Sequence, residues 1–430
     1  MNLRQRVWYC ALTAIACGVC LEAQQGRGAI RGTVTDSSLA AVPGAKVTVT
    51  NVGTGATFVA ETSQEGYYIA PGLLVGNYMV AAERPGFKTA VRRGITLQVD
   101  QTAQVNLVLE VGAVTESIDV TAAAPLVDTS TGTLGKVVEN RRMVDLPLNG
   151  RNALSLVLLT PSVKSNAGPT NSGFGDRGIQ LSAVSINGGP SAMNAQLLDG
   201  GTNILTAVGE INISPAVDAV EEFKVQSGTM SAEFGFTGGG VVNVVTKSGT
   251  NEVHGSLYHF LRNDALDARN AFAPTKPRFR YNQFGGSVGG PAIRNRTFYF
   301  GNWEEYRFRQ AIPNVGTFPT PQQREGNFSD LRDTTGRLIP IHDPATTRTN
   351  PAGSGYVRDL FADNAIPKQR FDPVSLNVMK FYPLPNRPPT DPYTNANNYQ
   401  RLADESRLMR QYTIRFDHRL SAKNSLFGRY

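Results

Sequence analysis

Few residues in this 430-residue chain have the types and spacing to do chemistry: four histidines, one Gly-x-Ser-x-Gly and one Gly-x-Gly-x-x-Gly. His254 and His259 are five apart, which on a strand puts them on opposite faces and keeps them from sharing a metal. His342 and His418 stand alone, and none of the four has Glu three positions on, as a His-x-x-Glu zinc site requires. "GGSVG" centres on Ser287, but Gly290-Pro291 follows where a nucleophile elbow needs a helix. "GFGDRG" (173–178) lacks the strand before it and the helix after it that a dinucleotide cradle needs. All three cysteines (Cys10, Cys17, Cys20) lie in the first twenty residues, so the rest of the chain offers no thiolate and no disulfide. The expectation is a protein that is not an enzyme, with no catalytic residue, metal or cofactor.

The elements that carry these residues begin with a processing signal. Arg4 and Arg6 precede an apolar run to Leu21 and a small residue at Ala23. That is the layout of a cleaved secretory leader over residues 1–23, and the run is too short to span a bilayer. Charge divides unevenly beyond it. Residues 1–250 hold 17 basic and 19 acidic side chains, and residues 251–430 hold 25 and 16. The basic excess is mostly single arginines among aromatics and acids, which is no nucleic-acid patch. It suits a water-filled lumen, anionic headgroups or solvated loops.

Residues 29–110 read as short alternating strands with Gly or Pro turns and no helical period, an antiparallel sandwich. "AIRGTVTD", "KVTVTNV", "TFVAET", "GYYIA", "GNYMVAAE" and "AQVNLVLE" are the strands, the last with Val105, Leu107 and Leu109 on one face. In "MVDLPLNGRNALSLVLLTPSV", Leu154, Val157 and Leu158 have helical spacing after an Asn-Gly turn. "SAVSINGGPSAMNAQLLDGGTN" reads as two strands around Gly188-Gly189-Pro190, and Gly238-Gly239-Gly240 precedes the Val-rich "VVNVVT". Those three glycines are expected to bend the backbone sharply at positive φ, or to serve packing alone.

From His254 the strands are aromatic and alternating. In "YTIRFDHR", Tyr412, Ile414 and Phe416 share one face while Thr413, Arg415 and Asp417 share the other. A barrel wall between lipid and water gives that pattern, and so does a soluble sheet with one buried face. Between about residues 310 and 408 the chain is Pro-, Asn- and Asp-rich, as in "FYPLPNRPPTDPY", and reads as long extracellular loops with room for a short strand pair.

Two resemblances rest on these motifs. "GTVTD…VPGAKVTVTN…ETSQEGYYIAPGLLVGNYMVAAERPGF" resembles the carboxypeptidase regulatory-like domain, a transthyretin-like sandwich without an active site. "LPLNGRN", "QLLDGGTNI", "DAVEEFKVQSG" and "GGVVNVVTKSGTN" resemble, in that order, the plug of TonB-dependent outer-membrane receptors that carry such a sandwich. The implied fold is mainly β: a sandwich, a mixed α+β plug, then the first strands of an outer-membrane barrel. The implied organisation is a leader at 1–23, sandwich at 27–111, linker at 112–130, plug at 131–250 and barrel start at 251–430. Residues 254–430 supply four to six wall strands against the roughly 22 of plugged transporters, so the chain is expected to be the N-terminal part of a longer protein.

The resemblance also implies residues and partners. Glu116, Ser117, Ile118, Asp119, Val120 and Thr121 sit where a TonB box would. The requirement there is an extended segment that can add a strand to a partner's sheet edge, which a plain linker strand also satisfies. Arg151, Asp199, Gly200, Glu221, Phe223 and Gly238, Gly239 and Gly240 are the structural plug positions. The implied partners are TonB, outer-membrane lipid and an extracellular substrate that no aromatic or arginine cluster names; nucleic acid is not among them. The function expected is energised uptake into the periplasm at the outer membrane. The alternative is a secreted or surface adhesin built from the sandwich and a loop-rich sheet.

Overall fold

A computed structural model describes residues 27–112, 117–121, 132–146, 148–165, 184–205, 210–230, 234–235, 237–269, 276–391, 393–421 and 424–430. The leader, Glu116 and the "GFGDRG" stretch lie outside the described residues. The chain divides into two compact units, Met1–His259 with Phe284–Glu305 and Arg410–Tyr430, and Phe260–Gln283 with Tyr306–Met409.

The sandwich is made of β1 (Gly28–Asp36), β2 (Lys46–Asn51), β3 (Thr57–Glu61), β4 (Tyr67–Leu73), β5 (Gly76–Glu83), β6 (Thr89–Leu97), β7 (Thr102–Gln104) and β8 (Leu107–Leu109). One sheet runs β4-β1-β7, with β8 also on β1. The other runs β3-β2-β5-β6 and ends on β9 (Ser117–Thr121). Period-two alternation puts Ile30, Val34, Val47, Val49, Val80, Leu107 and Leu109 into one core between them. The sheets are not purely antiparallel as expected, because β1 pairs in parallel with β7 and β8, and β6 with β9. Gly32 permits the first of these ladders. A Cβ there would stand 1.9 Å from the carbonyl oxygen of Val105, whose amide donates to Arg31 O at 2.8 Å.

The next domain holds β10 (Leu134–Glu139), β11 (Val163–Ser165), β12 (Val184–Ile186), β13 (Ala195–Leu198), β14 (Gly201–Thr202), β15 (Ile204–Leu205), β16 (Glu210–Ile211), β17 (Val220–Gly228) and β18 (Val241–Thr246). Its main sheet has the order β10-β17-β18-β13-β14. Every residue of β18 is buried, as a run of Val without alternation requires. The expected helix after the Asn-Gly turn is instead a 3-10 helix at Ala153–Leu159, and a short helix at Asn140–Asp145 precedes the turn. The tighter helix repeats every three residues. It buries Leu154 and Val157 and leaves Leu158 out, contrary to the sequence expectation.

Five antiparallel strands follow in the order β19 (His254–Asn263), β20 (Phe279–Ile293), β21 (Thr297–Gly316), β24 (Tyr399–Arg419) and β25 (Ser425–Arg429). Ser287 lies inside β20, not at a strand-to-helix elbow. β21 and β24 hold 20 and 21 residues, so each extends further than expected and the intervening loops shrink to 317–398. At about 3.3 Å per residue each is roughly twice the length that a tilted membrane strand needs. Between them lie the pair β22 (Arg348–Thr349) and β23 (Tyr356–Val357) and a helix at Pro373–Met379 started by the Asp372 side chain. Arg324 ties these loops together, donating to Met379 O, Tyr382 O and Pro383 O.

Candidate functional site: a charged contact between plug and wall

"LLDGG" shows how local sequence aims a charge. Asp199 and Gly200 take φ values of +50° and +80° between the paired residues Leu198 and Gly201. Positive φ at both central residues is the type I′ hairpin turn, for which Asp-Gly is a preferred pair. The turn points the Asp199 carboxylate at β18 and at the wall. Thr246 donates to it through its amide and its hydroxyl, both at 2.8 Å. Arg415 of β24 approaches at 3.3 Å and Arg429 of β25 at 3.0 Å.

Arg415 also donates bidentately to Asp417 at 2.9 Å, and to Thr246 O at 2.9 Å, with its guanidinium 5.2 Å from the Phe427 ring. Ser248 donates to the second oxygen of Asp417 at 2.8 Å. Two carboxylates thus face two guanidiniums, and the Asp199 and Arg415 side chains are each 3% exposed. Charges this buried persist only when paired and hydrogen-bonded.

A second cluster is built on "LPLNGRN". Gly150 at φ +68°, ψ +14° makes the type II turn that carries Arg151, itself at φ +48°. Arg151 donates to Asp218 at 2.6 Å and lies 4.7 Å from the centre of the Tyr258 ring on β19. Ser256 of β19 donates to the other oxygen of Asp218 at 3.0 Å, and Tyr258 donates to Glu304 of β21 at 2.8 Å. Both clusters join this domain to wall strands through charge and hydrogen bonds, while its own core of Val157, Ile186, Phe223, Val225 and Val244 is apolar.

The other singled-out residues fall into place singly. Phe223 is fully buried in the apolar core. Glu221 belongs to neither cluster and lines a cavity of about 400 Å³ with Asn51, Gly76, Thr246, His254 and Arg415. Its carboxylate reaches solvent there, yet desolvation by the surrounding protein lifts its pKa, opposed by Lys247 and Arg415. Gly238, Gly239 and Gly240 do not take positive φ, which corrects the expected reason for them. What they supply is close approach. A Cβ on Gly239 would sit 2.2 Å from Asn194 Oδ1, and one on Gly240 2.5 Å from Ile186 Cγ2 and 2.7 Å from Gln226 O. His259, expected to hold no metal, stacks edge-on against Phe284 at 5.9 Å.

Sequence reasoning missed the contact between sandwich and plug. The Val99 amide donates to Glu222, Lys224 donates to Asp100 O at 2.8 Å, and Asn243 donates to Asp100 Oδ2 at 2.9 Å. The Glu222 carboxyl is pushed up to about 8, chiefly by desolvation, with Glu221, Glu139 and Asp100 adding to it and the Val99 amide opposing. A carboxyl raised in the folded state stabilises fully below its free value of about 4.3. That contribution is lost as the pH rises through about 8. The sandwich–plug contact is therefore expected to loosen between these limits, and Glu222→Gln, which keeps the acceptor, to flatten the profile. Amide exchange of Val99 against pH measures this; an unchanged slope in the variant would remove Glu222 as the cause.

The two faces of β24 differ in what they leave open to the surroundings. On β24, Tyr412, Ile414 and Phe416 are 55%, 43% and 55% exposed, whereas Arg415 is 2% exposed. An apolar face outside and a charged face inside is the arrangement of a wall in lipid, the reverse of a soluble sheet. Residues 245–430 match the family described as Outer membrane beta barrel domain, and residues 29–110 match Carboxypeptidase regulatory-like domain. The chain thus carries a segment similar to an outer-membrane β-barrel domain and another similar to a regulatory-like sandwich.

Its relatives are TonB-dependent receptors, in keeping with the motifs. It is 30% identical over 292 residues to the TonB-dependent transporter Oar of Myxococcus xanthus, covering 63% of this chain and 26% of Oar. It is 32% identical over 133 residues to the probable TonB-dependent siderophore receptor PirA of Acinetobacter baumannii, covering 30% of this chain and 16% of PirA. The chain thus spans about a quarter or less of the length of these curated relatives. Among solved structures, the ferric enterobactin receptor PfeA of Pseudomonas aeruginosa is 16% identical at a TM-score of 0.33, over 68% of this chain and 31% of that one.

Proposed function

We propose that this chain forms the sandwich, plug and first wall strands of a TonB-dependent receptor, which takes a substrate into the periplasm with energy delivered through TonB. In this reading residues 1–23 are the leader, 27–111 the sandwich, 112–130 the linker with its TonB-box-like segment, 131–250 the plug and 251–430 the start of the barrel. The protein is a transporter and not an enzyme. The observation that carries the reading is β24, whose apolar face is open while Arg415 and Asp417 on the other face meet the Asp199 turn. A plug that fills a lumen and is held by ion pairs can be drawn aside without exposing an apolar core. The relatives named as TonB-dependent receptors support the same reading.

Fractionation of native cells, probed with an antibody to residues 29–110, is the direct test. The receptor reading expects the protein in the outer membrane, where a tagged periplasmic TonB domain captures it and deletion of residues 114–122 abolishes capture. A soluble or secreted product that TonB does not capture would sink this reading in favour of the adhesin.

A further inference from the structure

The outer edge of the sandwich's second sheet carries a segment from outside the sandwich. β9 lies parallel on β6, in register from Thr89 opposite Ser117 to Arg93 opposite Thr121, and it ends the sheet order β3-β2-β5-β6-β9. These are five of the six residues that the resemblance places at the TonB-box position. The chain is fixed just ahead of them. Lys88 N donates to Glu110 O at 2.7 Å, Gly112 N donates to Gly86 O at 3.2 Å, and Phe87 bridges Val111. The segment is thus anchored a few residues away, beside the start of the strand on which it docks.

The dock is short by construction. Beyond Arg93, Gly94 takes φ +73°, and on the other side of β6 the pairing with β5 shifts register between Tyr78 and Val80. A bulge there turns the strand and ends a straight ladder. Parallel ladders are also slightly weaker per residue than antiparallel ones. Five parallel pairs at a sheet edge hold a segment in place and still let it go.

We propose that the β6 edge is the resting dock of residues 117–121, and that TonB must compete with β6 for this segment. The proposal rests on the TonB-dependent reading given above. A partner that recognises the segment by adding a strand needs its backbone amides and carbonyls. While docked, alternate residues spend theirs on β6, and the sandwich flanks the segment. Apparent affinity then falls by the fraction of chains in which the segment is free. The regulatory-like sandwich acquires a defined role, setting how much of the box is available at rest.

The experiment uses the full chain in detergent with Thr89→Cys and Ser117→Cys. No cysteine occurs after residue 20, so with residues 1–23 removed the introduced pair reports alone. Mild oxidation is expected to cross-link it rapidly, while Thr89→Cys with Thr121→Cys, displaced by four residues or about 13 Å along the strand, stays reduced. The probe is a labelled periplasmic TonB domain. It should bind the oxidised pair at least about tenfold more weakly than the same protein after reduction. Equal cross-linking of the in-register and displaced pairs would overturn the dock. Specific cross-linking with unchanged TonB affinity would overturn the competition. If deletion of residues 114–122 also leaves TonB affinity unchanged, the TonB-box reading itself fails, a result distinct from either of the others because the cross-link reports the dock without TonB.

Discussion

Asp199→Ala is expected to destabilise the plug by about 3–5 kcal/mol, the cost of stripping the partner from a buried charge. Arg415 would keep its bidentate contact with Asp417 but lose the carboxylate that balances the second guanidinium, Arg429. Thr246 would lose an acceptor for both its amide and its hydroxyl. Arg429, 25% exposed, can turn towards water, whereas Arg415 at 3% cannot. The measurement is the denaturant midpoint of the protein in detergent, together with the rate of tryptic cleavage within the plug. Cleavage through local opening should rise by about a hundredfold to a few thousandfold.

The double variant Asp199→Asn with Arg415→Met separates charge from shape. It removes one charge of each sign and leaves Asp417 with Arg429. Replacing a buried pair by apolar groups is often near neutral. The double should therefore lie 1–3 kcal/mol nearer the parent than the sum of the single losses, within the range of coupling seen for contacting residues. Additive losses would mean that Asp199 acts through its turn and its Thr246 bonds, not through the arginines.

This cluster also marks how far the sequence could be read. "LDGG" declares its turn, because only a few residue pairs take two successive positive φ values. Gly150 likewise declares the turn before Arg151, supplying the one positive φ among that turn's central residues. What no local pattern carries is the identity of the partners: Asp199 and Arg415 are 216 positions apart, and Arg151 meets Asp218 across 67. The sandwich strands were legible wherever alternation was clean. β6 was not, because its buried residues run Ala90, Val91, Ile95 and Leu97, with Arg92, Arg93 and the bulge at Gly94 between them. Missing β6 also hid the edge on which residues 117–121 dock. Periodicity in β24 left lipid and soluble core equally open; the resemblance of the preceding motifs favoured lipid, and the burial of Arg415 against the plug agrees with it.

Gly240→Ala is expected to cost about 3 kcal/mol or more, at or beyond the upper end for overpacking. The added methyl meets Ile186 Cγ2 at 2.5 Å and Gln226 O at 2.7 Å. The first contact can ease if Ile186 changes rotamer. The second cannot, because Gln226 is held in register between β10 and β18. Gly238→Ala is the control from the same tripeptide: its nearest neighbour is Met193 Sδ at 3.1 Å, the flexible part of a side chain, and its φ is not positive. It should change stability by less than about 0.5 kcal/mol. Adding Ile186→Ala to Gly240→Ala then isolates the backbone contact. If the Gln226 carbonyl sets the limit, the double variant stays as unstable as Gly240→Ala or more so, since it also opens a cavity. Recovery in the double would instead assign the glycine to side-chain packing against Ile186, and larger residues at 240 would then be accommodated wherever residue 186 is small.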